Sequence, residues 1–439
     1  MKDLINNYLS YMIALIVMTS TSLAYAQTKI TIATVNNSHM MTMQELTPIF
    51  EKAHPDIKVK WITVEESKLR EHITLDVTDK HGFYDVITIG MYEAPIWGEK
   101  KWIQPIDTSG DYDLEDIIPS IREGLSYNNT LFAAPFYGES SMVIYRKDLI
   151  DAAGVTINDR DTWEHIRDVA AALHDPEAGV YGMCLRGKAG WGDNMAFVST
   201  MANSFGARWF DENWKPQLET TEWNNAVNFY VELLRKYGPP NASNNSFNEN
   251  LSLFSQGKCG ILVDATIAAS FVTDPKKSKV FDKVGFAQSP MQVTEKGANW
   301  LWAWSLAIPT ETQNAKAAQT FIRWATSKEY IKLIGETKGW AAVPTGTRFS
   351  TYNNPDFLAV ASFAQDELEA INSANPADST LKPSPYIGVQ FAAIPEFQDI
   401  GAITGQMVSG ALNGTISVEQ ALKSANLSAD NHMHQADYY

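Results

Sequence analysis

The stretch Tyr84–Asp107, YDVITIGMYEAPIWGEKKWIQPID, decides the fold. Val86–Ile89 is a short apolar run rich in β-branched residues, and Gly90 breaks it. Too short for a helix and without clean alternation, it suggests a strand buried on both faces, as in a parallel sheet. Met91, Tyr92, Glu93 and Ala94 fall just past its carboxyl end. In open α/β sheets that edge is where ligands bind. Pro95 can open a following helix, expected over 96–101, because a first-turn proline forfeits no hydrogen bond. One segment thus offers a strand, an aromatic ring and a carboxylate at the mouth of a sheet. The plainer alternative is a solvated loop that Tyr92 and Glu93 merely cover.

Upstream, strands are expected over 29–35 and 57–64. A helix between them starts at the capping box Thr42-Met43-Gln44-Glu45 and kinks at Pro48; a second helix covers 67–78. This β-α-β-α-β order implies right-handed crossovers and a parallel sheet. Downstream come two short helical pieces over 114–124, a hairpin over 126–136 turning at Asn128-Asn129, and a strand over 140–145. The texture then changes to longer helices over 163–173, 191–205 and 223–237, with strands over 180–185 and 259–263. This reads as a second α/β set with its own core. In WLWAWSLAIP, Trp300, Trp302 and Trp304 alternate, so their rings share one strand face. Helices follow over 315–325 and 329–336, and the remainder to 425 is mainly helical. The polar tail, with His432 and His434, is expected to be a frayed end rather than a metal site.

A chain of 439 residues, 45% hydrophobic and 11% aromatic, is long enough for two domains with substantial cores. Its net charge of −16 argues against nucleic acid or an anionic membrane as partner. Lys2, the apolar core Met12–Met18 and the small-x-small site Ala24-Tyr25-Ala26 read as a secretory signal cleaved after Ala26. A bacterial periplasm fits best. Cys184 and Cys259 both sit in strand-like runs; either a disulfide or two buried thiols is open.

No nucleophile elbow, phosphate loop, zinc helix or dinucleotide fingerprint occurs, so neither cofactor nor metal is expected. What recurs is a pattern at strand ends: Asn36-Asn37, Tyr92-Glu93, Tyr137 to Glu139, Arg186 then Trp191, and Asp264 to Thr266. Carboxylates, amides and Arg bind hydroxyl groups in fixed geometry, and aromatic faces cover the C–H side of a carbohydrate. Glu93 and Glu139 are also compatible with a glycosidase pair.

The whole chain resembles an extracellular solute-binding protein of an ABC importer, in the group that includes maltose-binding protein. The likeness rests on the secretory signal, on FEKAHPDIKV at residues 50–59, on Tyr84-Asp85-Val86, and on PFYGESSMVIYRKDL at residues 135–149. YGMCLRG at 181–187, WGDNM at 191–195 and VDAT at 263–266 are similar to the group that binds linear polyols such as sorbitol and mannitol. The resemblance implies a type II fold of two lobes, each a mostly parallel sheet flanked by helices, closing about a hinge. It places the first lobe at 27–137 and 300–337 and the second at 138–299 and 338–439. It implies a monomer that hands its ligand to a membrane permease and breaks no bond. By position, Asn37, Tyr92, Glu93, Tyr137, Glu139, Arg186, Trp191, Asp193, Asn194, Asp264, Trp302 and Trp340 are expected near the cleft. A mono-, di- or oligosaccharide is the alternative ligand, and a secreted glycosidase using Glu93 and Glu139 the alternative activity.

Overall fold

The computed structural model describes residues 27–439, so the expected leader and its cleavage site lie outside the described residues. In chain order the strands are β1 (Thr28–Val35), β2 (Ile57–Val64), β3 (Val86–Ile89), β4 (Ile103–Gln104), β5 (Ser126–Tyr127), β6 (Thr130–Leu131), β7 (Ala134–Glu139), β8 (Ser141–Arg146), β9 (Tyr181–Cys184), β10 (Cys259–Ala265), β11 (Val284–Gln288) and β12 (Trp302–Pro309). The first sheet runs β2-β1-β3-β12-β4, with β7 also paired to β12; the second runs β11-β8-β10-β9. Helices pack against both, which makes an α/β architecture.

Val86–Ile89 is the buried central strand that its apolar run implied. It pairs parallel to β1, and β1 pairs parallel to β2 in register from Thr28↔Ile57 to Val35↔Val64. Both sheets are mixed rather than mostly parallel. β12 is antiparallel to β3, β4 and β7, and β8 is antiparallel to β10 and β11. The physical reason is that these strands enter from the other lobe or from a short turn, without the crossover helix that a parallel neighbour requires. The β5-β6 hairpin turns at Asn128-Asn129, both with positive φ, and β7 is a separate strand beyond it.

Several helix starts differ from expectation. The first helix is Ser38–Ala53, and its cap is Asn37, whose side chain accepts from Met40 N. An Asx cap at the strand end outcompetes the later Thr42 box, and Thr42 sits inside the helix, bonded to Ser38 O. The helix after β3 is Glu93–Glu99, so Pro95 lies in its first turn. The C-terminal tail is not frayed: Val418–Gln435 is one helix with a Ser417–Gln420 capping box, and Tyr438 Oη donates to Glu396. No metal-binding cluster occurs among the described residues.

Between β7 and β8 the chain passes from the first sheet to the second through one residue. β7 belongs to the first sheet as far as Glu139, paired with Trp302, and β8 of the second begins at Ser141. Ser140 is pinned there: its N–H donates to Thr266 Oγ1, its carbonyl accepts from Thr266 N, and its hydroxyl donates to Trp300 O. The expected boundary at 137/138 therefore falls inside a strand of the first sheet. Arg348, almost fully buried, donates to the carbonyls of Tyr112, Asp113 and Thr326, which ties the segment after 338 to the first sheet's side.

Cys184 and Cys259 are joined as a disulfide, their Cα atoms 6.1 Å apart. The core of the second set includes Trp209, Trp223 and Tyr230, all fully buried. Truncating any one to Ala costs about 3–5 kcal/mol.

Candidate functional site

The carboxyl ends of β1, β2 and β7 face the loops after β9 and β10 across a cavity of 650 Å³. Asn37, Glu66, Tyr137, Glu139, Arg186 and Trp304 line it, with Lys188 and the segment Ser246–Glu249 at its second-sheet wall. A chamber of 40 Å³ continues inward between Trp191, Trp300 and Trp302, bounded by Arg70, Glu139 and Arg186. Glu66, Glu139, Arg186 and Trp304 border both spaces.

Arg186 stands at the junction. Its Nη2 donates to Asp264 Oδ1 at 2.6 Å, its Nε is shared between both Asp264 oxygens, and its Nη1 donates to Gly192 O at 2.9 Å. Asp264 Oδ1 also accepts from Ala265 N. Burial opposes the Arg186 charge, but Asp264 outweighs it and holds the guanidinium above its ordinary range. The rings of Phe247, Phe197 and Trp300 surround the fork, with centroids 5.3–5.5 Å away.

A second arginine, Arg70, plays the matching part on the first-sheet side. It donates to Glu66 through Nε and Nη2 and to Glu93 through Nη1. Its guanidinium lies over Trp191 at 4.1 Å and beside Trp302 and Trp304 at 5.1 and 5.2 Å. Buried cation–π contacts of this kind contribute about 2 kcal/mol. Because Arg70 comes from the first-sheet side and Trp191 from the second, the contact bridges the two.

The expected site residues separate cleanly. Asn37, Tyr137, Glu139 and Arg186 line the cavity, and Trp191 and Trp302 line the inner chamber. Glu93 and Asp264 stand behind the wall: each carboxylate is saturated by an arginine and a backbone N–H, Gly90 N for Glu93. Tyr92 is structural, its hydroxyl donating to the carbonyls of Ile394 and Pro395. Asn194 is buried, with its amide bonded to Gly405 O and its carbonyl oxygen to Gly190 N. Asp193 accepts from the Ser246 hydroxyl and so braces the wall. Burial and then Glu66 raise it to about 6, against the pull of Arg186. Trp340 is outside the cavity lining and covers Gly335, where a Cβ would come within 2.6 Å of its ring. Rings 300, 302 and 304 are all at least nine-tenths buried, and only Trp304 reaches the main cavity.

Sequence reading missed Glu65, Glu66, Arg70 and Lys188. Glu65 and Glu66 directly follow β2, so the strand-end rule that found Asn37 and Tyr92 also reaches them. Arg70 is one helical turn beyond Glu66. The Ser246–Glu249 segment carries no such signal, because it is brought in by tertiary packing alone.

Asn37 Nδ2 donates to Tyr137 Oη at 3.0 Å, and the Tyr137 ring packs on buried His39. Burial, followed by Lys277, holds His39 down at about 3, so it is neutral. At the mouth, Lys188 Nζ and Glu65 Oε1 are 2.7 Å apart and join the two sides. The arrangement is two facing sheet edges with hydrogen-bonding charges, held rigid from behind, and aromatic faces between them. That defines a class of protein that grips a small polar solute in a cleft.

The comparisons narrow the class. The family model described as bacterial extracellular solute-binding protein matches residues 36–332. A mannitol-binding protein of Pseudomonas aeruginosa is 51% identical over 417 residues, covering 95% of each chain. A solute-binding protein of Agrobacterium vitis, solved with bound D-mannitol, is 55% identical with a TM-score of 0.92, over 93% of this chain and 99% of that one. A further one from Agrobacterium radiobacter, solved with ribitol, shares the fold at a TM-score of 0.82 and 24% identity, over 93% and 99% of the two chains. The chain belongs to the bacterial extracellular solute-binding proteins, with the maltose-binding type of two-lobe fold. It is a binding protein and not an enzyme. The paired-carboxylate reading fails on geometry too, since Glu93 is sealed behind Arg70 and Gly90.

Proposed function

We propose that this chain is the periplasmic substrate-binding component of an ABC importer and that it takes a linear polyol of the mannitol type. The observation that carries the reading is the cavity wall itself. Arg186, braced by Asp264, and Glu139, whose carboxylate accepts no hydrogen bond among the described residues, face the same space as Asn37 and the Trp304 ring. Vicinal hydroxyls, each a donor and an acceptor, match such a wall. The mannitol-binding protein and the D-mannitol-bound structure support the same ligand class. A longer saccharide fits less well, because Trp300 and Trp302 are engaged in the core rather than offered as stacking platforms.

One lobe comprises the first sheet, residues 27–139 and about 302–352; the other comprises the second sheet and the remaining helices. The lobes close on the ligand because only the closed state makes contacts from both. A membrane permease then receives the closed monomer, and the leader is removed after Ala26. A thermal-shift screen of D-mannitol, sorbitol, ribitol, fructose and maltose tests the ligand class. A ligand at roughly 100 times its Kd adds about 2.7 kcal/mol of stability. The expected outcome is a clear shift with hexitols and little with maltose; the reverse order overturns the polyol reading.

A further inference from the structure

We infer that Glu139 enters the closed cleft as a neutral carboxylic acid that donates a hydrogen bond to a ligand oxygen, so that ligand capture takes up a proton. The inference rests on reading the cleft as the polyol site. Glu139 ends β7, borders both the cavity and the inner chamber, and is 7% exposed. Its carboxylate accepts no hydrogen bond within the described residues. The buried carboxylates around it are all satisfied: Glu93 by Arg70 and Gly90 N, Asp264 by Arg186 and Ala265 N, Asp193 by Ser246, and Glu367 by Thr345 and Tyr352.

The surroundings of Glu139 disfavour a charge from several elements. Glu66 on the helix after β2, Asp264 on β10 and Glu367 on the helix Ala364–Ser373 all repel it. Arg186 opposes them, but its guanidinium is already directed at Asp264 and Gly192 O. Tyr137, on the same face of β7, is raised above all by burial and stays a neutral phenol. Burial is the largest influence on Glu139 and pushes it up to about 8, with Arg186 pulling back. A neutral acid offers one donor and one acceptor, the pairing capacity of a hydroxyl, and so suits a polyol better than a bare anion with no partner. In the open state, water fills the cleft and the carboxyl returns towards its ordinary range, so it is ionised at neutral pH. Closing around the ligand then draws a proton from solvent.

Calorimetric titration of the mature chain with D-mannitol near pH 7.5, in buffers of different ionisation enthalpy, counts the protons. His39, neutral in the closed state, and Asp193, ionised at that pH in both states, add little there. The expected result is uptake of roughly half a proton or more per mannitol. Glu139→Gln is expected to abolish the uptake while keeping affinity within roughly tenfold, because its amide still donates. Should that variant fold poorly, the wild-type proton count decides alone. Tight mannitol binding with no buffer dependence overturns the inference and leaves the polyol reading standing. So does a hundredfold loss in Glu139→Gln without wild-type uptake, which would make Glu139 an ionised acceptor. Silence toward mannitol, sorbitol and ribitol alike overturns both.

Discussion

Arg186 gives Nε and Nη2 to Asp264 and Nη1 to Gly192 O, and the same side chain lines the cavity. Its truncation therefore acts on ligand and fold together. Arg186→Ala is expected to weaken polyol binding by about 2–3 kcal/mol in calorimetry, and unchanged affinity would remove Arg186 from the site. Arg70→Met is expected to lower stability by about 3–5 kcal/mol in urea unfolding, because Glu93 keeps only the Gly90 N–H and stays buried. A loss below about 1 kcal/mol would show that Arg70 does not brace the cleft. At this scale the sequence revealed residue types better than roles. The carboxylates Glu93 and Asp264 stand at strand ends, as expected of ligand acceptors, yet each serves an arginine instead. Strand-end position is legible from a run of residues; which partner a carboxylate finds depends on chain segments dozens of residues away.

The elements meet most tightly where the sheets join. Gly346 has φ +74°, and a Cβ there would lie 2.0 Å from Gly138 O, while a Cβ on Gly138 would lie 2.2 Å from Gly346 O. Two backbones thus touch at the crossing, and Gly138 N donates to Thr345 O. Gly346→Ala is expected to destabilise by well over about 1 kcal/mol, read as a lowered unfolding midpoint. A wild-type midpoint would mean that the crossing has slack. Beside it, buried Glu367 accepts from Thr345 at 2.9 Å and from Tyr352 at 2.7 Å. Burial raises Glu367 from 4.5 to about 7 against these bonds. A raised acid means that the native state keeps a proton that the unfolded chain has lost. Its contribution to stability therefore falls as pH rises from 4.5 through about 7 and is level above. Glu367→Gln is expected to flatten that decline in melting temperature between about pH 5 and pH 8; an unchanged slope contradicts the assignment. None of this crossing was legible beforehand. The Ser140 switch and the tie of Arg348 to the first sheet's side arise from long-range pairing, which no local run of residues announces.

For the molecule as a whole, the order of strands and helices through β3 was readable because each carries its own period and its own stop signal. The mixed character of the sheets was not, since an antiparallel insertion such as β12 looks locally like any other buried strand. The facing edges, the Lys188–Glu65 pair at the mouth and the Arg70–Trp191 contact inside tie the two sides of the cleft together. Small-angle scattering is expected to show a smaller radius of gyration when mannitol is added, and an unchanged one would separate binding from closure.

On the function proposed above, the cleft captures a linear polyol and returns it unaltered. Isothermal titration of the mature chain with D-mannitol, followed by chemical analysis of the recovered polyol, tests it most directly. Saturable one-to-one binding and intact mannitol are expected. No heat with any polyol, or tighter binding of maltose, would contradict it.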